Sequence, residues 1–290
     1  MKQNEIATIS EVWRDLELRL TSLNDINRKH RHIFLSPHLD DAIYSCGGTL
    51  GVQVSSGLHP LIITVFAGIP SPDTVLSEEA LRIHRQQGFS DAQGPGALIE
   101  ARRQEDAAAC DYMELDYLWL DYLDASYRGN PPHYTSIQQI IGGNVHPADG
   151  NIERQLAQDL LALHERLPDA VWYAPLGIGR HVDHQILCSA ADHLVQHDAK
   201  VYFYEDFPYV VREKGALDAR LKELGNAFEP ALVEMSEFLP ARQKAAEMYA
   251  TQIQANFPGK ESMYHAMQTY SHGIRPVETV CLERYWTPRL

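Results

Sequence analysis

Two short stretches of the chain carry residue types that can hold a metal and move a proton. Ser36-Pro37-His38-Leu39-Asp40-Asp41 sets a histidine and an aspartate three positions apart, with a second aspartate beside the latter. At a strand-to-helix turn His38 and Asp41 can point into one crevice as two ligands, which leaves Asp40 as a free carboxylate facing whatever they hold. His181-Val182-Asp183-His184 places two imidazoles one helical turn apart, hence on one face. Catalytic zinc uses three protein ligands, commonly histidine and carboxylate, and keeps a fourth position open for water. His38, Asp41 and His184 meet that count. Zinc lowers the pKa of its bound water to ~7, and a neighbouring carboxylate takes the proton as the water attacks a carbonyl. Asp40 is placed for that role. His181 would donate to the developing oxyanion, where a lost donor costs ~3 kcal/mol of barrier, and Asp183 would orient or charge one histidine. The chemistry is metal-dependent hydrolysis of an amide.

Each motif alone has a plainer meaning. An Asp-Asp pair after a strand is usually a helix cap with a solvated neighbour. With 14 histidines in the chain, a chance His-x-x-His is expected on the order of once. Their position separates them from chance, because both follow the end of an apolar run. His193 and His197 read as exposed helix residues and are left out of the site.

The elements that must position these residues are legible as periodicities. Residues 3–29 carry Ile6, Ile9, Val12, Trp13, Leu16 and Leu20 at helical spacing, which predicts an N-terminal amphipathic helix. A buried strand at His32–Leu35 stops at Ser36-Pro37, and a helix runs from Asp41 through Leu50 into Val54. Further apolar runs at Leu61–Ala67, Met113–Leu120, Ala170–Ala174 and Val201–Tyr204 alternate with helical segments, one of them His181–His197. This rhythm predicts an α/β fold, a Rossmann-like open and mostly parallel sheet with helices on both faces. Ligands then bind outside the carboxyl ends of the strands, near the topological switch point. The stretch Asp124–Ile152 is too long for a plain connector and reads as a substrate loop or lid. A helix at Ala241–Gln254 precedes a C-terminal segment expected to be mostly irregular and attached to the same domain. One domain over residues 1–290 is expected, its core at about 32–255.

Composition narrows the class. Net charge is −14 and the basic residues are scattered, so the footprint of a nucleic-acid binder is missing. Acidic residues near the start, Glu5, Glu11, Asp15 and Glu17, stand where a secretory signal would need a basic patch, and no stretch is apolar enough to span a bilayer. A cytoplasmic address is expected, with homo-oligomerisation left open. The four cysteines, Cys46, Cys110, Cys188 and Cys281, form no Cys-x-x-Cys pair and read as buried free thiols, Cys46 being the one near the main motif.

With these motifs in place, the chain resembles the LmbE-like, or PIG-L, family of zinc-dependent N-acetylglucosaminyl deacetylases. The family pattern His-Pro-Asp-Asp-Glu is matched by His38-Leu39-Asp40-Asp41-Ala42, and its His-x-Asp-His by residues 181–184. ARRQED at 101–106 is similar to the family's Arg-Arg-x-Glu helix, YEDFPY at 204–209 to its fifth-strand ending, and Lys244, Tyr249 and Gln252 to a pattern near its C-terminal helix. The resemblance implies Zn2+, or another divalent metal, on His38, Asp41 and His184, with Asp40 as general base then acid and His181 as oxyanion donor. It further implies removal of an acetyl or other acyl group from an amino-sugar conjugate, releasing acetate and a free amine. Arg102 or Arg103 would contact that small-molecule conjugate, and Asp124, Tyr127, Glu205 and Asp206 are further candidates at strand ends. Tyr134, Phe207 and Tyr209 read either as sugar-stacking rings or as packing. Leu39 replaces the motif proline and Ala42 the motif glutamate, so one carboxylate is removed from beside the site.

Two rivals share the residues. Two histidines and a carboxylate also make the facial triad of a mononuclear non-haem iron enzyme, whose usual context is a β-barrel. A non-catalytic sugar-binding protein on the same fold is the other, and a free Asp40 beside the metal argues against it.

Overall fold

A computed structural model describes residues 18–225, 228–275, 277 and 280–289. In chain order the strands are β1 (Arg19–Leu20), β2 (His32–Ser36), β3 (Pro60–Thr64), β4 (Asp116–Trp119), β5 (Val171–Pro175), β6 (Lys200–Tyr204), β7 (Phe228–Glu234) and β8 (Leu282–Pro288). They form one sheet in the order β1-β4-β3-β2-β5-β6-β8-β7. Pairings from β1 to β6 are parallel, and β8 joins antiparallel to both β6 and β7. The sheet is open, unlike the barrel expected of the iron rival.

The strands carry the period-2 alternation of a sheet covered on both faces. Ile33, Leu35, Leu61, Ile63, Trp172 and Ala174 enter one apolar cluster, with helix α5 (Gly150–Arg166) and α6 (Val182–Gln196) over it. Their neighbours Phe34, Ile62 and Tyr173 enter a second cluster with α1 (Asp41–Ser55) and α3 (Ala97–Tyr112). The remaining helices are α2 (Glu78–Gln86), α4 (Ile137–Ile140), α7 (Tyr209–Arg212), α8 (Ala216–Glu223), α9 (Leu239–Ala246), α10 (Ala250–Asn256) and α11 (Lys260–Gly273). The small residues after the first motif serve close packing. A side chain at Gly48 would stand 2.5 Å from Met235, so α1 lies flush against the C-terminal part of the chain.

Strand order reverses at β2. Its successor β3 lies on one side and β5 on the other, in register His32 to Val171, Ile33 to Trp172 and Phe34 to Tyr173. The two motifs follow these adjacent strands, one on each side of the switch point where a crevice opens.

Three expectations need correction. The N-terminal helix at 3–29 lies outside the described residues up to position 17, and beyond it the chain forms β1 and a 3-10 turn at Leu23–Asp25. The helix expected at Ala241–Gln254 is two helices, α9 and α10, broken near Met248-Tyr249. The C-terminal segment expected to be irregular holds α11 and β8. Among the described residues no helix is long and apolar enough to cross a membrane.

Candidate functional site

At the end of β2 the turn is clamped by Ser36, whose Oγ donates to the His38 carbonyl at 2.7 Å and accepts from the Ala42 amide at 3.0 Å. Asp41 Oδ2 accepts the His38 amide at 2.9 Å. The same oxygen stands 3.2 Å from His38 Nδ1 and 3.3 Å from His184 Nε2. The opposite nitrogen of each ring meets a different carboxylate: His38 Nε2 lies 2.9 Å from Asp183 Oδ2, and His184 Nδ1 lies 2.6 Å from Asp206 Oδ1. These bonds place each ring N–H on its outer carboxylate and leave the inner nitrogen facing Asp41.

Two imidazole lone pairs aimed at one carboxylate require a positive charge between them. His184 Nε2 is buried without a hydrogen-bond partner. Without a metal the charge comes from protons: burial alone would lower both histidines, but the surrounding carboxylates push His38 up to about 9 and His184 up to about 10. Burial would raise Asp41, yet His184 and His38 hold it well below the carboxylate range. A tetrahedral zinc site with bonds of ~2.0–2.2 Å sets its ligand atoms about 3.3–3.5 Å apart, close to the two N···O separations here. The donor set therefore fits a divalent metal. Among the described residues, ligand atoms within 4.8 Å of one another group as His38, His181 and His184 and as His38, Asp124, His181 and Asp183, while Asp41 joins through its contacts to His38 and His184. His181 Nδ1 accepts the Asp183 amide, so Nε2 is the nitrogen that ring has left to offer.

Asp40 precedes α1 with φ 141° and ψ −34°, a region that favours glycine. Such backbone costs of order 1–3 kcal/mol and persists where neighbours enforce it. Here it sends consecutive carboxylates apart, Asp41 to the histidines and Asp40 toward Arg102. Arg102 Nη2 donates to the Leu39 carbonyl at 3.0 Å and lies 3.4 Å from Asp40 Oδ1. Burial and the charge of Asp41 push Asp40 up to about 8, against the pull of Arg102 and His38. A carboxyl in that range can accept and return a proton near neutral pH.

His181 caps α6, its Nδ1 accepting the Asp183 amide at 3.2 Å, which puts the ring proton on Nε2. Burial, then the neighbouring His38, press it down to about 3, so the ring is a neutral N–H donor. Asp183 opposes its own burial through Arg128 and His38 and is held far below the carboxylate range. Its Oδ2 also accepts the Ala125 amide at 3.0 Å, and its Oδ1 accepts from Arg128 Nη1 at 2.6 Å.

A family model described as PIG-L, GlcNAc-PI de-N-acetylase, matches residues 33–195. That span is more than half of the 290-residue chain and contains both motifs. The chain belongs to the PIG-L family. It is 28% identical over 242 residues to 2'-N-acetylparomamine deacetylase of Niallia circulans, covering 81% of this chain and 84% of the relative. Its identity to 2'-N-acetylparomamine deacetylase of Streptomyces fradiae is 27% over 257 residues, covering 88% and 84%. Among solved structures, the zinc-inhibited form of teicoplanin deacetylase is similar, with a TM-score of 0.74 and 26% identity over 88% of this chain and 97% of that one.

Around the PIG-L motifs lies a cleft of about 500 Å³ with His38, Asp40, Asp41 and His181 in its lining. Of the other expected site residues, Arg102, Asp124, Tyr127 and Tyr209 line it. Asp206 does not, but it fixes His184. Arg103 is turned away, its guanidinium on the Ala67 carbonyl and Asp121. Glu205 is likewise elsewhere, buried against Arg284, Trp286 and Tyr270. Tyr134 and Phe207 are packing residues, and Cys46 lies on the buried side of α1 in the second apolar cluster. Leu39 packs with Ala67, Ile99 and Tyr127, and Ala42 sits in the second core cluster, so both departures from the PIG-L pattern present apolar side chains to apolar surroundings. Sequence reading missed Arg128 and Gln252 as members of the site region; Gln252 was noted only as part of a pattern, and Arg128 carried no signal.

Proposed function

We propose that this PIG-L protein hydrolyses the N-acyl amide of an amino-sugar conjugate, with a divalent metal, zinc in our reading, on His38, Asp41 and His184. The observation that carries the proposal is the convergence of His38 Nδ1 and His184 Nε2 on one Asp41 oxygen at 3.2 and 3.3 Å, with Asp40 beside it and turned aside. The names of the three relatives given above support the reaction, since those three are deacetylases, two of them acting on an N-acetylated paromamine. A zinc-inhibited form of a related deacetylase supports zinc as a metal that such a site accepts.

A metal bound there supplies Lewis-acid activation of water and of the amide carbonyl. Asp40 takes the proton as the water oxygen bonds to the amide carbon. His181 Nε2–H donates to the carbonyl oxygen as negative charge develops on it. Asp40 then returns the proton to the nitrogen, the C–N bond breaks, and the carboxylic acid, acetic acid for an N-acetyl group, leaves with the amine and gives its remaining proton to it or to solvent, ending as carboxylate. Asp124 and Arg102 on the cleft wall contact the sugar. Closure of α7 and α10 around the mouth is unnecessary to this scheme, because the acid, base and donor all come from β2, β5 and their following helices.

We read the chain as a single catalytic domain acting in the cytoplasm, supported by β7 and β8 completing the same sheet and by four free buried cysteines. The test is a panel of N-acetyl amino-sugar conjugates assayed for released amine, with and without chelator. Chelator-sensitive amine release is expected. No release from any conjugate, or release indifferent to thorough metal removal, would reject the reading.

A further inference from the structure

One wall of the cleft comes from the long segment between β4 and α5, which contributes Asp124, Ser126, Tyr127, Ile137, Ile140 and Ile141. A single buried guanidinium ties this segment together. Arg128 Nη1 donates to the Leu123 carbonyl at 2.9 Å, and its Nε donates to Asp149 Oδ2 at 3.0 Å. Its Nη2 stands 3.0 Å from the same Asp149 oxygen but lacks the alignment of a hydrogen bond. Asp149 also accepts the Tyr134 hydroxyl at 2.7 Å, and that hydroxyl oxygen accepts the His146 amide at 2.8 Å. The beginning, middle and end of the segment thus meet at Arg128.

The nitrogen that holds Leu123 also reaches the metal-ligand side. Arg128 Nη1 lies 2.6 Å from Asp183 Oδ1, and Asp183 Oδ2 accepts from His38 Nε2 at 2.9 Å. Arg128, Asp149 and Asp183 are 5%, 2% and 0% exposed. Arg128 bridges two buried carboxylates, and removing it takes an ion-pair partner from each, leaving Asp183 with His38 and Asp149 with His133. Without the Arg128 bond to Oδ1, the Asp183 carboxylate is free to rotate and its Oδ2 no longer fixes the ring of His38, which is how partners behind a ligand set metal affinity. The influence runs both ways. A cation at His38 Nδ1 strengthens the bond from Nε2–H to Asp183, and with it the pair with Arg128; linkage makes such coupling reciprocal.

We propose that Arg128 is a positioning residue that couples seating of the metal at His38 to ordering of residues 123–149, so that the metal centre and one substrate wall form together. The proposal rests on the reading of His38 as a ligand.

The experiment uses the full chain stripped of metal. Zinc affinity is measured by competition with a chromophoric chelator, and hydrogen exchange is followed over residues 123–149 with and without zinc. In the wild type, zinc should slow exchange across that segment. Arg128→Met should bind zinc about 10–100-fold more weakly and lose the zinc-dependent protection, with Arg128→Lys recovering part of the affinity. A folded Arg128→Met that binds zinc within about threefold of wild type, or keeps the zinc-dependent protection, overturns the proposal. Should that variant not fold, Asp149→Asn keeps the Asp183 pair and releases the far end. It should lose zinc-dependent protection over 133–149, and persistence of that protection overturns the proposal equally. A wild-type chain that binds no zinc refutes the metal reading itself, and the coupling with it.

Discussion

Asp206 Oδ1 stands 2.6 Å from His184 Nδ1, and this bond decides which nitrogen of the ring turns toward Asp41. The second oxygen of Asp206 accepts the Ile178 amide at 2.9 Å, so the carboxylate is held at both ends and cannot rotate away without breaking a buried bond. A neutral imidazole binds metal through one nitrogen only when its proton sits on the other.

Asp206→Ala should therefore lower zinc affinity about 10–100-fold, with Asp206→Asn falling between it and wild type. Chelator competition reads the constant directly. Unchanged affinity in the alanine variant would show that the ring is oriented by something else.

Asp40→Asn tests the base. Asparagine is among the residues that tolerate positive φ, so the turn should keep its shape while the proton acceptor is lost. Zinc content should stay stoichiometric and turnover should fall about 10²–10⁴-fold. Turnover close to wild type would remove Asp40 from the role.

The central strands and the ligand motif are legible in sequence for one physical reason. A buried parallel strand must be apolar on both faces, so β2, β3 and β5 announce themselves, and polar residues directly after them must be at the crevice. The edge of the sheet obeys no such rule. In β7 the stretch FEPALVE loses its alternation at the exposed pair Glu229-Pro230 and has no buried position, and β8 mixes Arg284 and Glu283 with aromatics, so neither reads as a strand of this sheet. Glu205 and Asp206 look equivalent at the end of β6, yet neighbours along an extended chain face opposite sides. One goes to Arg284 and Trp286, the other to His184. Arg128 gains its meaning from Asp149 and Asp183, which lie 21 and 55 positions away, and no local pattern encodes a partner at that range.

His181 and His184 should separate by phenotype. His184→Ala should lose metal and activity together, because the inner nitrogen is a ligand in the proposed scheme. His181→Asn keeps a side-chain oxygen for the cap on α6 and leaves the metal triad intact. Its zinc content should match wild type while kcat falls about 10²–10³-fold and KM changes little. Loss of zinc in this variant would instead make His181 a ligand, in line with the three-imidazole cluster it shares with His38 and His184.

The start of β4 offers a prediction for stability that does not touch the metal. Asp116 Oδ2 lies 3.1 Å from His30 Nε2 and 2.9 Å from Lys29 Nζ, pinning the turn that leads into β2 and so toward His38. Burial would raise its pKa, but the hydrogen bonds from His30 and Lys29 hold it below the usual carboxylate range. With the folded value depressed, the unfolded chain binds more protons in acid, so stability from this group is present above the unfolded pKa and is lost as pH falls through the folded one. Lys29 is partly exposed, which screens the pair and keeps the effect modest. Asp116→Asn should therefore lower Tm at neutral pH, by an amount that shrinks with added salt, and the gap to wild type should close toward about pH 3. Thermal melts of both proteins at the two pH values measure it. An equal gap at both would assign the stabilisation to hydrogen-bond geometry rather than to the carboxylate charge.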